Sequence, residues 1–203
     1  MMDDPERFRR AISLMDAANA DDPNLLDTSE GKRPKELVHA ELLTEWVRRL
    51  DSSPSEALLL AARAHHIRRW VMPRSSYPKG RSGYLRWRRD LHRFHAAETA
   101  VLLERAGYGP ETIARVQQIV RKERLTLDHE VQTLEDGLCL VFLRLQLDEL
   151  TGRVADNAKM VDVLKKSWRK MSPAGREFAL TLDLSEEGRE LVRQALAGSG
   201  AGS

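Results

Sequence analysis

Hydrophobic residues recur at helical spacing along most of this 203-residue chain. Val, Ile and Thr nowhere alternate with polar residues over a useful strand length, whereas Leu, Ala, Arg and Glu repeat with a helical period. Because this pattern buries apolar surface between helices, we expect an all-α fold. The segments that carry it are about 5–18, 35–50, 58–70, 85–105, 110–124 and 129–150, with weaker helices at about 155–170, 173–180 and 185–197.

Polar stretches and capping residues divide these segments. Asp4 followed by Pro5 predicts a capped helix start, and Gly107 predicts a helix end. Residues 19–34 (NADDPNLLDTSEGKRP) are polar and predict a loop. No boundary of composition separates two domains, so we expect one helical domain with a short helical extension. Its predicted parts are the domain at 1–152, the extension at 153–197 and a flexible tail at 198–203.

Composition and apolar run length indicate the cellular compartment in which the protein works. The apolar runs fall short of the ~18 to 20 residues that a membrane span requires. The first residues, MMDDPERFRR, contain no apolar signal core, and one cysteine permits no intrachain disulfide. We therefore expect a cytoplasmic protein that does not contact a membrane, and the sequence leaves its oligomeric state open.

Histidines occupy apolar stripes in two of the predicted helices. His39 precedes Leu42 and Leu43 by three and four residues, so it shares their inward face. His65 and His66 end the run LLLAARAHH, and the pattern does not decide which of them faces the core. A lone histidine on such a stripe is more often a hydrogen-bonded core residue than a metal ligand.

One acidic residue lies in a segment that is apolar almost all round. Asp136 occurs in LEDGLCLVFLRL. Because desolvating a lone carboxylate is prohibitive, it needs a partner, either a metal ion held by imidazoles or an arginine or lysine. Three helices each turn a His or Asp inward, and this joint pattern favours a metal centre over three separate core residues.

These segments resemble parts of the HD-domain superfamily of metal-dependent phosphohydrolases. The similar stretches are LLLAARAHHI, HAAETAVLLERAGYGPETIARVQQIVRKE and LEDGL, in the family's order over about Lys35 to Leu150. The stretches RAHHIRRW, GYLRWR and LEDGLCLVFL also resemble a small uncharacterised family found in bacteria and fungi.

The superfamily resemblance implies a set of metal ligands. Carried over by position, His39, His65 and Asp136 are the predicted metal ligands, and His66, which stands where the family has an Asp, is a fourth candidate ligand. Because a histidine makes the site less anionic, we expect one divalent transition metal, Mn, Fe, Co or Zn, rather than Mg. Lys122 stands where another His is common, so a second metal is not expected.

A basic and aromatic segment follows the histidine pair. Residues 63–93 contain nine Arg, one Lys and a single acid, Asp90. Arginines chelate phosphate through paired N–H groups, and aromatic rings stack on bases, although arginine-rich helix ends are also ordinary solvated surface. The predicted phosphate-binding residues are Arg69, Arg74, Arg86, His95 and Lys122, and the predicted base-stacking residues are Trp70 and Tyr77.

Together these features predict a metal-dependent phosphohydrolase that acts on a nucleotide or another phosphate ester. Glu98 and Glu135 are the candidates for general acid–base catalysis. A non-catalytic module that binds a nucleotide or RNA on a degenerate HD scaffold is the alternative. An iron-dependent oxygenase is a third reading, and it would need more ligands than the sequence provides.

Overall fold

A computed structural model describes residues 4–145, 147 and 157–197 of the chain. The fold is mainly all-α, as predicted, with a small two-stranded sheet. The described helices are α1 (Pro5–Ala20), α2 (Lys35–Leu50), α3 (Glu56–Ala64), α4 (Arg81–Ala106), α5 (Pro110–Val120), α6 (His129–Leu145), α7 (Asn157–Lys170), α8 (Pro173–Leu180) and α9 (Glu186–Ala197). The chain divides into two compact units, one ending at Leu134 and the other beginning at Glu135 within α6.

Helix α3 is the centre of the first unit. It packs on α1, α2 and α5, while α4 packs on α1 and α5. A helix enclosed in this way has no polar face, and the sequence EALLLAARA supplies apolar residues almost all round. Leu58, Leu60 and Ala61 are fully buried, and the small alanines let neighbouring helices approach closely.

The predicted loop at residues 19–34 is wrong over its second half. Strands β1 (Leu25–Thr28) and β2 (Gly31–Pro34) pair antiparallel, with Leu25 opposite Pro34 and Thr28 opposite Gly31. The Thr28 hydroxyl donates to the Gly31 carbonyl at 2.7 Å, and Gly31 adopts a left-handed φ of 101°. Both strands are exposed or half-buried, so they lack the apolar alternation that predicts a strand.

Two predicted helix ends are confirmed. The Asp4 carboxylate accepts from the backbone N–H groups of Glu6 and Arg7, each at 3.0 Å, and so caps α1. Gly107 ends α4 in the left-handed conformation, with φ 91°.

The second unit contains the later part of α6 and the helices α7, α8 and α9. These three lie within a residue or two of the weaker helices that the sequence predicted. Helix α7 packs on α9, and Leu143, Leu164, Trp168 and Val192 line a small apolar cavity. The Ser172 hydroxyl caps α8 by accepting from the Gly175 N–H at 3.1 Å. The predicted boundary at 152–153 and the predicted tail at 198–203 lie outside the described residues.

No helix within the described residues combines the length and hydrophobicity that a bilayer crossing requires.

Gly83 provides a test of how the loop before α4 packs on the helix. A Cβ added at Gly83 would lie 2.0 Å from the Pro78 carbonyl oxygen, and backbone must move to admit it. We expect Gly83→Ala to lower the free energy of unfolding by about 1–3 kcal/mol, measured by urea denaturation. Gly109→Ala is the control because its site is open and its φ of −78° is ordinary. Equal stability of the two variants would contradict the packing described.

Candidate metal centre

The chain turns sharply after α3, where the sequence predicted a helix continuing to about residue 70. Helix α3 ends at Ala64, and the Ile67 and Arg69 N–H groups donate to the carbonyls of Ala64 and His66 in tighter turns. Arg68 then adopts a left-handed φ of 49°, which no α-helix accommodates. The turn brings both histidines of the pair to the end of α3, His65 buried and His66 half-buried.

Three side chains from two elements converge at this turn. Glu36 and His39 lie three residues apart on α2, and His66 faces them from the turn. His66 Nδ1 is 3.1 Å from Glu36 Oε2, and the His39 and His66 rings stack with centroids 4.1 Å apart. Each residue offers one ligand atom, and these atoms lie within 4.8 Å of one another. Zn–N and Zn–O bonds of about 2.0–2.2 Å place two ligands at most about 4.4 Å apart, so small side-chain rotations would close the group on one ion.

Burial keeps these imidazoles neutral. It lowers the pKa of His39 to about 3 and that of His66 well below its usual range, and the nearby Arg69 charge lowers both further. Burial also raises the pKa of Glu36 to about 7, against the opposing effect of Arg69, whose Nε lies 3.8 Å from Glu36 Oε1. Neutral imidazole is the form that binds a metal, and a set of two imidazoles and one carboxylate suits Mn, Fe, Co or Zn.

Buried ring nitrogens without partners support the same reading. Among the described residues, no hydrogen-bonding group reaches Nδ1 of His39, Nδ1 of His65 or Nε2 of His95. Such atoms are rare in folded proteins because each loses its hydration without compensation. His39 is one of the three converging residues, so a metal ion bound through its Nδ1 would satisfy this nitrogen.

Two buried side chains hold the turn that presents His66. The Arg68 N–H donates to Asn19 Oδ1 of α1 at 3.1 Å, and Asn19 is fully buried. His95 of α4 donates from Nδ1 to the Ile67 carbonyl at 2.8 Å. Helices α1 and α4 therefore both bind the peptide group between Ile67 and Arg68, just before the left-handed residue.

The structure brings together two of the predicted ligands, His39 and His66, with a third that the sequence reasoning missed. Glu36 had a usable signal, the Glu-x-x-His spacing with His39, which places both side chains on one helix face. His65 lies beside them, its ring centroid 4.9 Å from that of His66, and it is not one of the three converging residues.

The predicted ligand Asp136 lies in the second unit. It is buried, and it accepts from the Ser172 N–H at 2.9 Å and from the Ser172 hydroxyl at 2.6 Å. The neighbouring Glu135 is also buried and lies 3.4 Å from Lys170 Nζ. The metal role of Asp136 and the catalytic role of Glu135 stay predictions.

The predicted phosphate-binding residues differ in their contacts and exposure. Arg69 lies beside Glu36, and its guanidinium stacks 5.0 Å from the Trp87 ring centroid. Lys122 has a left-handed φ of 57° just after α5, and its charge adds to burial in lowering the pKa of His39 and His65. Arg86 is exposed on α4.

Two further predicted residues serve the loop before α4. The Arg74 guanidinium donates to the carbonyls of Tyr77 at 2.9 Å and Pro78 at 2.8 Å, so its N–H groups close the loop. The Tyr77 hydroxyl donates to Asp90 Oδ2 at 3.3 Å. Of the remaining predicted residues, Trp70 is half-buried and Glu98 lies 3.5 Å from an Arg68 nitrogen.

Comparison with known protein families identifies a match. A family model described as a domain of unknown function, DUF4202, matches residues 9–192. No curated protein and no solved structure matches the chain. Nothing in these comparisons connects the chain with the HD-domain superfamily, so that likeness stays a resemblance of sequence.

The left-handed turn predicts an unusual response to glycine. Arg68→Gly relieves a conformation that costs other residues about 1–2 kcal/mol, so we expect unchanged or higher stability in urea denaturation. Arg86→Gly, at an exposed helical position of α4, is the control and should lose about 1 kcal/mol. Asn19→Ala should lose about 1–3 kcal/mol because it leaves the Arg68 N–H without its acceptor. A loss in Arg68→Gly as large as in the control would contradict the described turn.

Proposed function

The chain belongs to the DUF4202 family of unknown function, and we propose that it is a metal-dependent phosphohydrolase acting on a nucleotide or another phosphate ester. The observation that carries the proposal is the buried group of Glu36, His39 and His66 with the Arg69 guanidinium beside it. A site that pairs metal-binding groups with a phosphate-binding cation suits this reaction.

Glu36, His39 and His66 would hold one divalent transition ion through a carboxylate oxygen and two ring nitrogens. When bound, such an ion supplies a Lewis acid that polarises a phosphoryl oxygen and makes water a better nucleophile. His65 and Asp136 remain the further ligands that the superfamily resemblance implies.

Arg69 and Lys122 would bind the phosphate. Arg69 is held between the Glu36 carboxylate and the Trp87 ring, which limits the rotamers of a long side chain before any substrate arrives. Its guanidinium presents N–H groups in a planar fork that matches two phosphate oxygens, and Lys122 adds a point charge. Both charges would oppose the negative charge that builds up on the phosphoryl group during transfer.

His95 suits a different role from the predicted phosphate contact. Because its Nδ1–H donates to the Ile67 carbonyl and burial lowers its pKa to about 3, the ring is neutral and Nε2 carries a lone pair. Phosphate oxygens need a donor, which this nitrogen lacks. Nε2 would instead accept a hydrogen bond from the attacking water and orient it, and Glu98 and Glu135 remain the acid–base candidates.

Binding of a phosphorylated ligand or RNA without catalysis is a second candidate. The observation in its favour is the contact between His66 and Glu36, which lets two of the three groups satisfy each other when no ion is bound. This candidate predicts that binding of a nucleotide such as ATP persists in EDTA, whereas hydrolysis by the first candidate stops.

Metal content tests the proposal. Protein without a tag, incubated with Mn²⁺ or Co²⁺ and then desalted, should retain about one ion per chain by mass spectrometry. His39→Ala and Glu36→Gln should retain less than about a tenth of that amount, because each removes one of three ligands. His129→Ala is the control, since that side chain is 78% exposed on another helix, and it should bind like the parent.

The same samples, checked for equal helicity by circular dichroism, are then assayed for inorganic phosphate released from a panel of phosphate esters and nucleotides. We expect release that depends on the metal and is lost with His39→Ala. Folded protein that retains no metal and releases no phosphate with any added divalent ion would overturn the proposal. Loss of metal in Asp136→Asn as well would make Asp136 a ligand.

A further inference from the structure

One face of α4 leads from solvent to the turn after α3. At about 100° per residue, Tyr84, Arg88, Leu91 and His95 fall within about 60° of one another around the helix axis. Tyr84, at the outer end, is 42% exposed. His95, at the inner end, is buried, and its ring centroid lies 5.9 Å from that of His66. A ligand that lies along this face would therefore have its inner end beside the candidate metal centre.

Trp87 joins this face to Arg69, which follows the turn. The Trp87 indole N–H donates to the Met72 carbonyl at 2.9 Å, and this hydrogen bond fixes the ring. The Arg69 guanidinium lies 5.0 Å from the Trp87 ring centroid, and the Tyr84 ring lies 5.9 Å from it at an angle of 46°. These side chains therefore form a continuous surface that is ordered before a ligand binds, which lowers the entropy lost on binding.

Arg88 is half-buried and forms no salt bridge with any of the described residues. Burial lowers the pKa of Arg69, and the Arg88 charge lowers it further, against the opposing effect of Glu36. The two guanidinium groups therefore lie close enough to repel each other, and a bound anion would remove that cost. Other arginines without a salt bridge, such as Arg9 and Arg10, are exposed, so water solvates their charges.

The order of these groups matches the order of groups in a nucleoside diphosphate. Tyr84 lies outermost, and Arg88 lies about one turn further in, about 6 Å along the axis of α4. Arg69 lies beside Glu36, next to the candidate metal centre. A nucleoside diphosphate has a base, an inner phosphate and an outer phosphate in the same order. A tyrosine ring offers a face to the base, and each guanidinium fork matches two phosphate oxygens.

A ligand with one phosphate and no base would use only part of this surface. Arg69 alone would bind its phosphate, and Tyr84 and Arg88 would contact nothing on it. The half-buried second guanidinium and the exposed ring next to a fixed tryptophan therefore favour a larger ligand.

We propose that Tyr84 and Arg88 make this site selective for a nucleoside diphosphate or triphosphate, with the base on Tyr84 and the phosphates on Arg88 and Arg69. The role of that nucleotide as a substrate rests on the proposed hydrolysis, whereas its binding does not.

Isothermal titration calorimetry of the full chain in EDTA compares ADP, AMP and ribose 5-phosphate, which differ by one phosphate or by the base. The parent should bind ADP about tenfold tighter than AMP, because the second phosphate gives Arg88 a partner. It should bind AMP about fivefold tighter than ribose 5-phosphate, because the base stacks on Tyr84. Arg88→Gln should reduce the first preference to less than about threefold, and Tyr84→Ala should reduce the second by the same measure.

Arg89→Gln is the matched control, because it removes the same charge from an exposed neighbour that points about 100° away from Arg88. It should keep both preferences. Tyr84→Phe retains the ring and should restore the preference that Tyr84→Ala loses.

The titrations contain no free metal, so phosphate release from ADP with Mn²⁺ is measured separately. Both preferences without any metal-dependent release would support the nucleotide site and contradict only the proposed hydrolysis. Equal affinity of the parent for the three ligands, no binding of ADP, or the same loss in Arg89→Gln as in Arg88→Gln would each overturn the inference.

Discussion

The hydrogen bond between Asn19 and the backbone N–H of Arg68 is the contact on which the arrangement of the site depends. It holds a left-handed residue at the point where the chain leaves the central helix α3. Without that reversal the chain would run on in the direction of α3, and the side chains that follow Ala64 would not face α2. With it, His66 meets Glu36 on one side, and Arg69 reaches the same carboxylate from the next turn.

The same dry environment that suits the site to a metal also opposes the fold in acid. Buried His39 and His95 have pKa values near 3 in the folded chain, against an ordinary value of 6.5. Between these values the unfolded chain binds more protons, so their contribution to stability is lost as pH falls from about 6.5 toward 3. Glu36, with its pKa raised from 4.5 to about 7, acts in the opposite direction. Its contribution to stability is lost as pH rises from 4.5 to about 7.

The sequence predicts the fold class and two of the helix ends. Helical periodicity indicates the class, and the capping residues Asp4 and Gly107 mark the ends through local hydrogen bonds and backbone conformation. It does not predict the hairpin, since exposed strands need no apolar alternation, nor the end of α3, since the left-handed residue is an arginine rather than a glycine. His39 and His66 are found from their places near apolar runs. Glu36 is missed because an acid in the first turn of a helix has an ordinary explanation in the helix dipole.

The loop before α4 is held together by one of its own side chains. The Arg74 guanidinium donates to the backbone carbonyls of Tyr77 and Pro78, three and four residues further along the chain. The histidine turn and this loop follow each other in the chain, yet the turn is bound by Asn19 and His95 from two other helices, whereas the loop is bound by its own Arg74. Opening of the loop therefore breaks none of the hydrogen bonds that hold the histidine turn, and the two adjacent segments can move independently.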